Sequence, residues 1–310
     1  ARMCVRERLR AWAAAGAGCP PGKVLDLRPS AEFARRALRR STNIPRAELP
    51  QRYSELPPPG DPFAVVVEAG AARELPGRGV DRWRVTDFFE ASPGFWAAAE
   101  ELRLVAAPGT GPGAGPGGAA PHFLWEPCPL LKRELPGITA RLEAAFPGAA
   151  GGGLTALDVG CGAGRDSVYL AARGRYRVAA IDKLAKHLRR VEKFAARNAV
   201  EVETVELDVK QAGAAEAFGA RSPHLVVVVR FLHRPLLGVL AQALRPGGCL
   251  VYEHFMVGAE AFGSPSKPED LLRPGELRDA LPGWDLAVCD EEGTLEDGRP
   301  MVRVVAFKPA

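Results

Sequence analysis

Five apolar runs, spaced at strand–helix distances over the second half of the chain, limit the possible folds more than any other feature. They are "TALDV" (155–159), "YRVAAID" (176–182), "VETVELD" (202–208), "HLVVVV" (224–229) and "GCLVYEHF" (248–255). Their apolar residues run on rather than alternate with polar ones, which is the signature of strands buried on both faces of a parallel sheet. Helical stretches are predicted between them, near 165–173, 183–198 and 235–244. Two more strand-like runs, "DLAVCDEE" (285–292) and "MVRVVAFKP" (301–309), are bridged by "LEDGRP" and suit a hairpin at the sheet edge.

The first third alternates in the same way on a smaller scale. "KVLDLR" (23–28), "FAVVVE" (63–68) and "RWRVTDFF" (82–89) read as strands, with helices at 30–39 and 93–104. Between the halves lies "AAPGTGPGAGPGGAAP" (106–121), which has no charge and no large apolar residue and so cannot build a packed element. The expected organisation is a small α/β domain (1–105), a linker (106–121) and a larger α/β domain (122–310).

Composition closes off several functions. No run of eighteen uncharged apolar residues exists to span a membrane, and the start lacks the apolar core of a secretory leader. The six cysteines, Cys4, Cys19, Cys128, Cys161, Cys249 and Cys289, form no C-x-x-C pair, which argues against a zinc site or disulfide framework. Scattered cysteines fit a reducing compartment, either the cytoplasm or an organelle interior. A net charge of +4 is too mild to demand a nucleic-acid partner. No metal is expected.

"LDVGCGAGRD" (157–166) carries the most chemistry. A strand-to-helix turn exposes unpaired N–H groups, and glycines let a ligand approach the backbone. That accounts for Gly160, Gly162 and Gly164 without naming the ligand: a dinucleotide, another adenosine cofactor or a purely structural turn. Dinucleotide sites use G-x-G-x-x-G; here the spacing is G-x-G-x-G, and Asp158 stands two residues before the first glycine. A carboxylate there suits a ligand with a cationic end. Asp182 closes the second strand run and Asp208 the third, placed to meet ribose hydroxyls and an adenine amino group. Lys183 and Val209, each following one of these acids, join them as candidate cofactor contacts. Cys161 sits between glycines with no base beside it, so its backbone rather than its thiol is expected to serve the cofactor.

On these motifs, residues 122–310 resemble a class I S-adenosylmethionine-dependent methyltransferase with a Rossmann-like seven-stranded sheet. "LWEPCPLL", "RFLHRPLL", "LRPGGCLVYEHF" and "LLRPGEL" resemble the small-molecule branch that includes tellurite-resistance methyltransferases. The resemblance implies S-adenosylmethionine as cofactor and a small thiol, chalcogen or similar compound as acceptor. By the rule that ligands lie outside the carboxyl ends of a parallel sheet, the acceptor belongs beside the fourth and fifth strand ends. Those ends offer Arg230, Phe231, His233 and Arg234, then Glu253, His254 and Phe255. His233 and Glu253, with Arg230, are the candidates for positioning the acceptor or removing its proton. The competing readings are a backbone-bonded His233 and a Glu253–Arg230 ion pair. Trp125 is assigned either to covering the cofactor or to plain packing.

Patterns resembling amino-methylating nucleic-acid enzymes and ribose methylators are missing. A basic helix face (Lys186, Arg189, Arg190, Lys193 and Arg197) nonetheless keeps RNA open as an alternative acceptor. A third alternative is a non-catalytic cofactor-binding sensor or scaffold.

"VLDLRPSAEFARRALRRSTNIP" (24–45) resembles the opening of a rhodanese-like domain, matching through Asp26, Arg28, Glu32, Phe33 and Asn43-Ile44-Pro45. In active members a cysteine follows the strand that corresponds to "FAVVV"; here Glu68 stands there. A carboxylate cannot carry a sulfane sulfur, so the resemblance implies a module without sulfurtransferase activity that serves docking, regulation or substrate presentation.

Overall fold

The computed structural model describes residues 3–15, 23–77, 79–106, 123–211 and 213–310. Most of the glycine-rich stretch, from residue 107 on, and Cys19 lie outside the described residues. The chain divides into two compact units, Ala1–Glu126 and Pro127–Ala310.

The first unit holds α1 (Val5–Ala15), β1 (Lys23–Asp26), α2 (Ser30–Arg35), β2 (Ser41–Asn43), β3 (Phe63–Val67), β4 (Val85–Glu90) and α3 (Pro93–Glu101). Its four strands run parallel in the order β2-β1-β3-β4. Because side chains alternate across a strand, "FAVVV" supplies both faces. Ala64 and Val66 pack with Leu9, Phe89, Phe95 and Trp96, whereas Phe63, Val65 and Val67 pack with Leu25, Ile44, Leu56 and Trp83. Ser92 caps α3 by accepting from the Phe95 amide at 3.2 Å.

The second unit contains α4 (Pro129–Ala145), β5 (Leu154–Val159), α5 (Arg165–Ala171), β6 (Tyr176–Asp182), α6 (Ala185–Arg197), β7 (Glu203–Glu206), α7 (Ala214–Arg221), β8 (Leu225–Val229), α8 (Arg234–Ala243), β9 (Cys249–Phe255), α9 (Glu276–Asp279), β10 (Asp285–Asp290) and β11 (Met301–Phe307). Its sheet has seven strands in the order β10-β11-β9-β8-β5-β6-β7. Five strands run parallel; β11 pairs antiparallel with both β9 and β10, as the edge hairpin requires. The order reverses between β5 and β8, which places a crevice at their carboxyl ends. One face buries Leu157, Val159, Val226, Val228, Leu250 and Tyr252 beneath α7 and α8. By strand alternation Asp158 and Glu253 turn to the opposite face, the side of α4 and α5.

Candidate functional site

The turn after β5 is built by its glycines, each for a different reason. All three have left-handed backbone, with φ of 74°, 54° and 78° at Gly160, Gly162 and Gly164. A Cβ on Gly160 would come within 2.9 Å of the Phe231 ring, and one on Gly164 within 2.7 Å of Val191. Both glycines therefore serve the chain's own packing. Gly162 differs: a Cβ there would meet only the Gly160 carbonyl oxygen, at 4.0 Å. Of the three, it faces open space. The amides of Gly160 and Cys161 both donate to the Ile181 carbonyl, at 2.9 and 3.1 Å, tying the turn to β6. Burial, with Asp158 and Asp182 nearby, pushes the Cys161 thiol up, away from the reactive thiolate.

Asp158 is buried beneath this turn and accepts a hydrogen bond from Ser167. Burial first, and Asp166 second, push its carboxyl up to about 7. Asp166, in the first turn of α5, is pushed up by burial to about 6 while accepting from the Cys128 amide at 2.7 Å. Glu253 raises it further and Arg230 lowers it, so these groups share one electrostatic neighbourhood. The Glu253 side chain is 1% exposed. Its Oε2 accepts from Arg303 Nε at 3.2 Å, whereas Oε1 is buried with no hydrogen-bond partner. Arg303, directly opposite on β11, is thus the ion-pair partner; the alternative reading of a Glu253–Arg230 pair is replaced by it. From Arg230 it is the backbone amide that reaches β9, donating to the Glu253 carbonyl at 2.7 Å.

At the end of β6 the Asp182 carboxylate accepts from three donors: Gly162 N at 3.1 Å, Leu184 N at 2.9 Å and His187 Nδ1 at 3.0 Å. Lys183 beside it is exposed. β7 ends at Glu206, so Asp208 lies two residues beyond the strand it was expected to close. There its carboxylate accepts from the Lys210 amide at 3.1 Å in a short turn, with Val209 half-buried beside it.

β8 delivers two contrasting kinds of side chain. Arg234 is committed: it donates to the Glu269 and Leu271 carbonyls, each at 2.7 Å, and pairs with Glu276. Arg230 and His233 are not. Arg230 is exposed with φ of 55°, a strained value for a side-chain-bearing residue. Its guanidinium lies 5.9 Å from the centre of the Phe255 ring and near enough to Asp166 to lower that carboxyl. His233 is the N-terminal flanking residue of α8, half-buried, with no side-chain cap bond. On the far face of β9, away from the crevice, His254 bonds the Asp270 carbonyl at 2.8 Å, and burial lowers its pKa from the ordinary value. Trp125 falls in the first unit, 2% exposed and stacked on Phe123 at 4.5 Å between ring centres.

Residues 156–248, from β5 to the start of β9, match a protein family described as a methyltransferase domain. Over those residues the second unit is similar to a methyltransferase domain, a likeness that supports S-adenosylmethionine-dependent methyl transfer. The uncharacterized protein UNK4.09 of Schizosaccharomyces pombe is 25% identical over 336 residues, which span 92% of this chain and 93% of that protein. Among solved structures, TehB from Haemophilus influenzae is 19% identical with a TM-score of 0.41, covering 55% of this chain and 62% of that one. The N-methyltransferase NodS from Bradyrhizobium japonicum is 17% identical with a TM-score of 0.42, covering 59% of this chain and 99% of that one.

The chain's residues fit the cofactor. Gly162 leaves room for a close approach, and three acids with one unsatisfied buried oxygen gather on the α4–α5 face, where a cationic group would be compensated. Among the described residues no group of His, Cys, Asp and Glu could hold a metal ion. No described helix is long and apolar enough to cross a membrane. Two carboxylate partners in this site carry no sequence signal: Arg303 on β11, and His187, which reads as part of a solvated basic helix.

Proposed function

We propose that the second unit transfers a methyl group to a small-molecule acceptor, a thiol or chalcogen compound, held at the carboxyl ends of β8 and β9. The observation that carries this reading is the contrast at the crevice. The side chains of Arg230 and His233 and the Oε1 atom of Glu253 have no hydrogen-bond partner among the described residues. Their neighbour Arg234 is instead engaged by the Leu271 carbonyl and Glu276, and His254 faces away from the crevice, bonding the Asp270 carbonyl through Nε2. Polar side chains left without partners at a switch point are available to a ligand.

S-adenosylmethionine supplies a sulfonium-bound methyl, so orientation and exclusion of water can account for much of the catalysis. Asp158 and Asp166 would hold its cationic amino end, with the backbone of Gly160, Cys161, Gly162 and Gly164 closing around it. Asp182 and Lys183 would hold the ribose, and Asp208 and Val209 the adenine. Arg230 orients the acceptor, and His233 or Glu253 takes its proton where it has one to lose.

Incubation with methyl-labelled cofactor and separated cell fractions tests the reading. Label is expected in the small-molecule fraction. Label in protein alone, or in none, would leave a protein methylator or a cofactor-binding scaffold instead. One observation favours RNA as a second reading: Lys186, Arg189, Arg190, Lys193 and Arg197 are all exposed on α6, opposite the buried Leu188, Val191, Phe194 and Ala195. It predicts retention on RNA at low salt that falls when Lys186, Arg190 and Lys193 are neutralised.

For the first unit we propose a rhodanese-like module without sulfurtransferase activity. Support comes from a buried Asp26–Arg28 pair at 2.7 Å, from Asn43, which donates to the carbonyls of Asp26 and Arg28, and from the exposed Glu68 that follows β3. No thiosulfate:cyanide sulfur transfer is expected from the purified chain, and a measurable rate would refute this.

A further inference from the structure

His187 and Asp182 form a contact that the methyl-transfer reading does not use. A carboxylate only accepts hydrogen bonds, so the 3.0 Å approach of His187 Nδ1 to Asp182 Oδ2 places the proton on Nδ1. The same oxygen accepts from Gly162 N, and Oδ1 from Leu184 N. A carboxylate offers about four lone-pair positions. Among the described residues three are taken, which leaves one. A vicinal diol gripped through both hydroxyls needs two.

The three donors are not equally able to leave. Gly162 N belongs to the turn after β5, and Leu184 N to the start of α6, so losing either means moving backbone. The His187 backbone is likewise fixed, its amide donating to the Leu184 carbonyl at 2.7 Å. Its imidazole, however, hangs on two rotatable bonds and is 27% exposed, with water beside it to replace the lost bond. Turning the ring away costs rotamer energy and one exchangeable hydrogen bond, while displacing the turn or the helix start would break several.

We propose that His187 is a positioning residue that holds the Asp182 carboxylate in the ligand-free protein and yields its place to the second ribose hydroxyl when the cofactor binds. This rests on reading Asp182 as the ribose acid. The imidazole then competes with the ligand for one lone pair, and its removal strengthens binding while Gly162 and Leu184 keep the carboxylate aimed.

Calorimetry with S-adenosylhomocysteine on the full chain tests this. His187→Ala is expected to bind at least threefold more tightly than the unsubstituted protein. His187→Asn, whose amide nitrogen occupies the place of Nδ1, is expected to bind like it. With the 2′-deoxy analogue the gain in His187→Ala should vanish, because one hydroxyl needs only the position already free. Equal or weaker binding of S-adenosylhomocysteine by a folded His187→Ala overturns the proposal. A second readout needs no substitution: the Nδ1 nitrogen resonance of His187 is expected to move on saturation with the product, and an unmoved resonance overturns it too. Asp182→Ala separates the two levels of inference. Undiminished binding there removes the ribose reading and this proposal with it; weakened binding with an unmoved His187 resonance removes the proposal alone.

Discussion

Single residues in the turn after β5 divide between holding the fold and admitting a ligand, and their substitutions should divide the same way. Gly160→Ala meets a left-handed φ, costing about 1–2 kcal/mol, and presses a methyl into Phe231, which adds roughly 1–3 kcal/mol of overpacking. Gly162→Ala carries the backbone cost of about 1–2 kcal/mol but has open space for its methyl. Urea unfolding should therefore show a larger loss for Gly160→Ala, and calorimetry a larger loss of cofactor affinity per unit of stability for Gly162→Ala. The reverse ranking would mean that Gly162 is not at the ligand. Asp158 and Asp166 make a pH prediction of definite sign. Their folded values, about 7 and about 6, stand above the ordinary 3.8. Their contribution to stability is therefore fully present below pH 3.8 and is lost as pH rises through 6 and 7. A cationic amino group bound beside them relieves that loss, so the rise in melting temperature produced by S-adenosylmethionine should be larger near pH 8 than near pH 5. An equal rise at both would remove these acids from the cofactor's amino end.

Elements that are buried on both faces were legible before any coordinates, and those stabilised at one face or one end were not. Four parallel strands of the second unit, β5, β6, β8 and β9, needed only their apolar runs, since nothing but a covered sheet hides so many Val, Leu and Ile side chains, whereas β7 is an edge strand without a buried residue. The helix α7, "AAEAFGAR", buries little beyond Ala214 and Phe218, a pattern too weak to stand out in an alanine-rich chain. In α4 the signal is broken by Pro136, and β2 is three polar residues held by pairing with β1. At the site the acids at strand ends were readable because strand–turn–helix spacing places them; Arg303 and His187 were not, because cross-strand register and a helix's first turn decide them. Arg234 shows how an element end is fixed by distant sequence. Its guanidinium clasps the 269–276 segment through two carbonyls and Glu276. The site is part-exposed, so Arg234→Ala should cost about 1–2 kcal/mol, with faster hydrogen exchange at Leu271–Glu276. Unchanged exchange there would show that Leu271 and Leu272, both buried, hold the segment without the clasp.

At the scale of the whole molecule, each unit has its own sheet and buried clusters on that sheet's faces. Chains of this kind melt in steps rather than as one cooperative body. Two transitions are therefore expected in a calorimetric scan. The proposed cofactor residues Asp158, Asp182 and Asp208 all lie in the second unit, so a ligand that grips them stabilises only the state in which that unit is folded. By mass action, S-adenosylhomocysteine at a hundred times its Kd adds about 2.7 kcal/mol to that unit alone. One transition should climb with ligand concentration while the other stays where it is. Asp182→Ala should cancel the climb without moving the fixed transition, because Asp182 belongs to the second unit. A single transition that shifts as a whole would instead mean that the two units unfold as one. The proposal that the first unit is a separable docking or regulatory module would then fail.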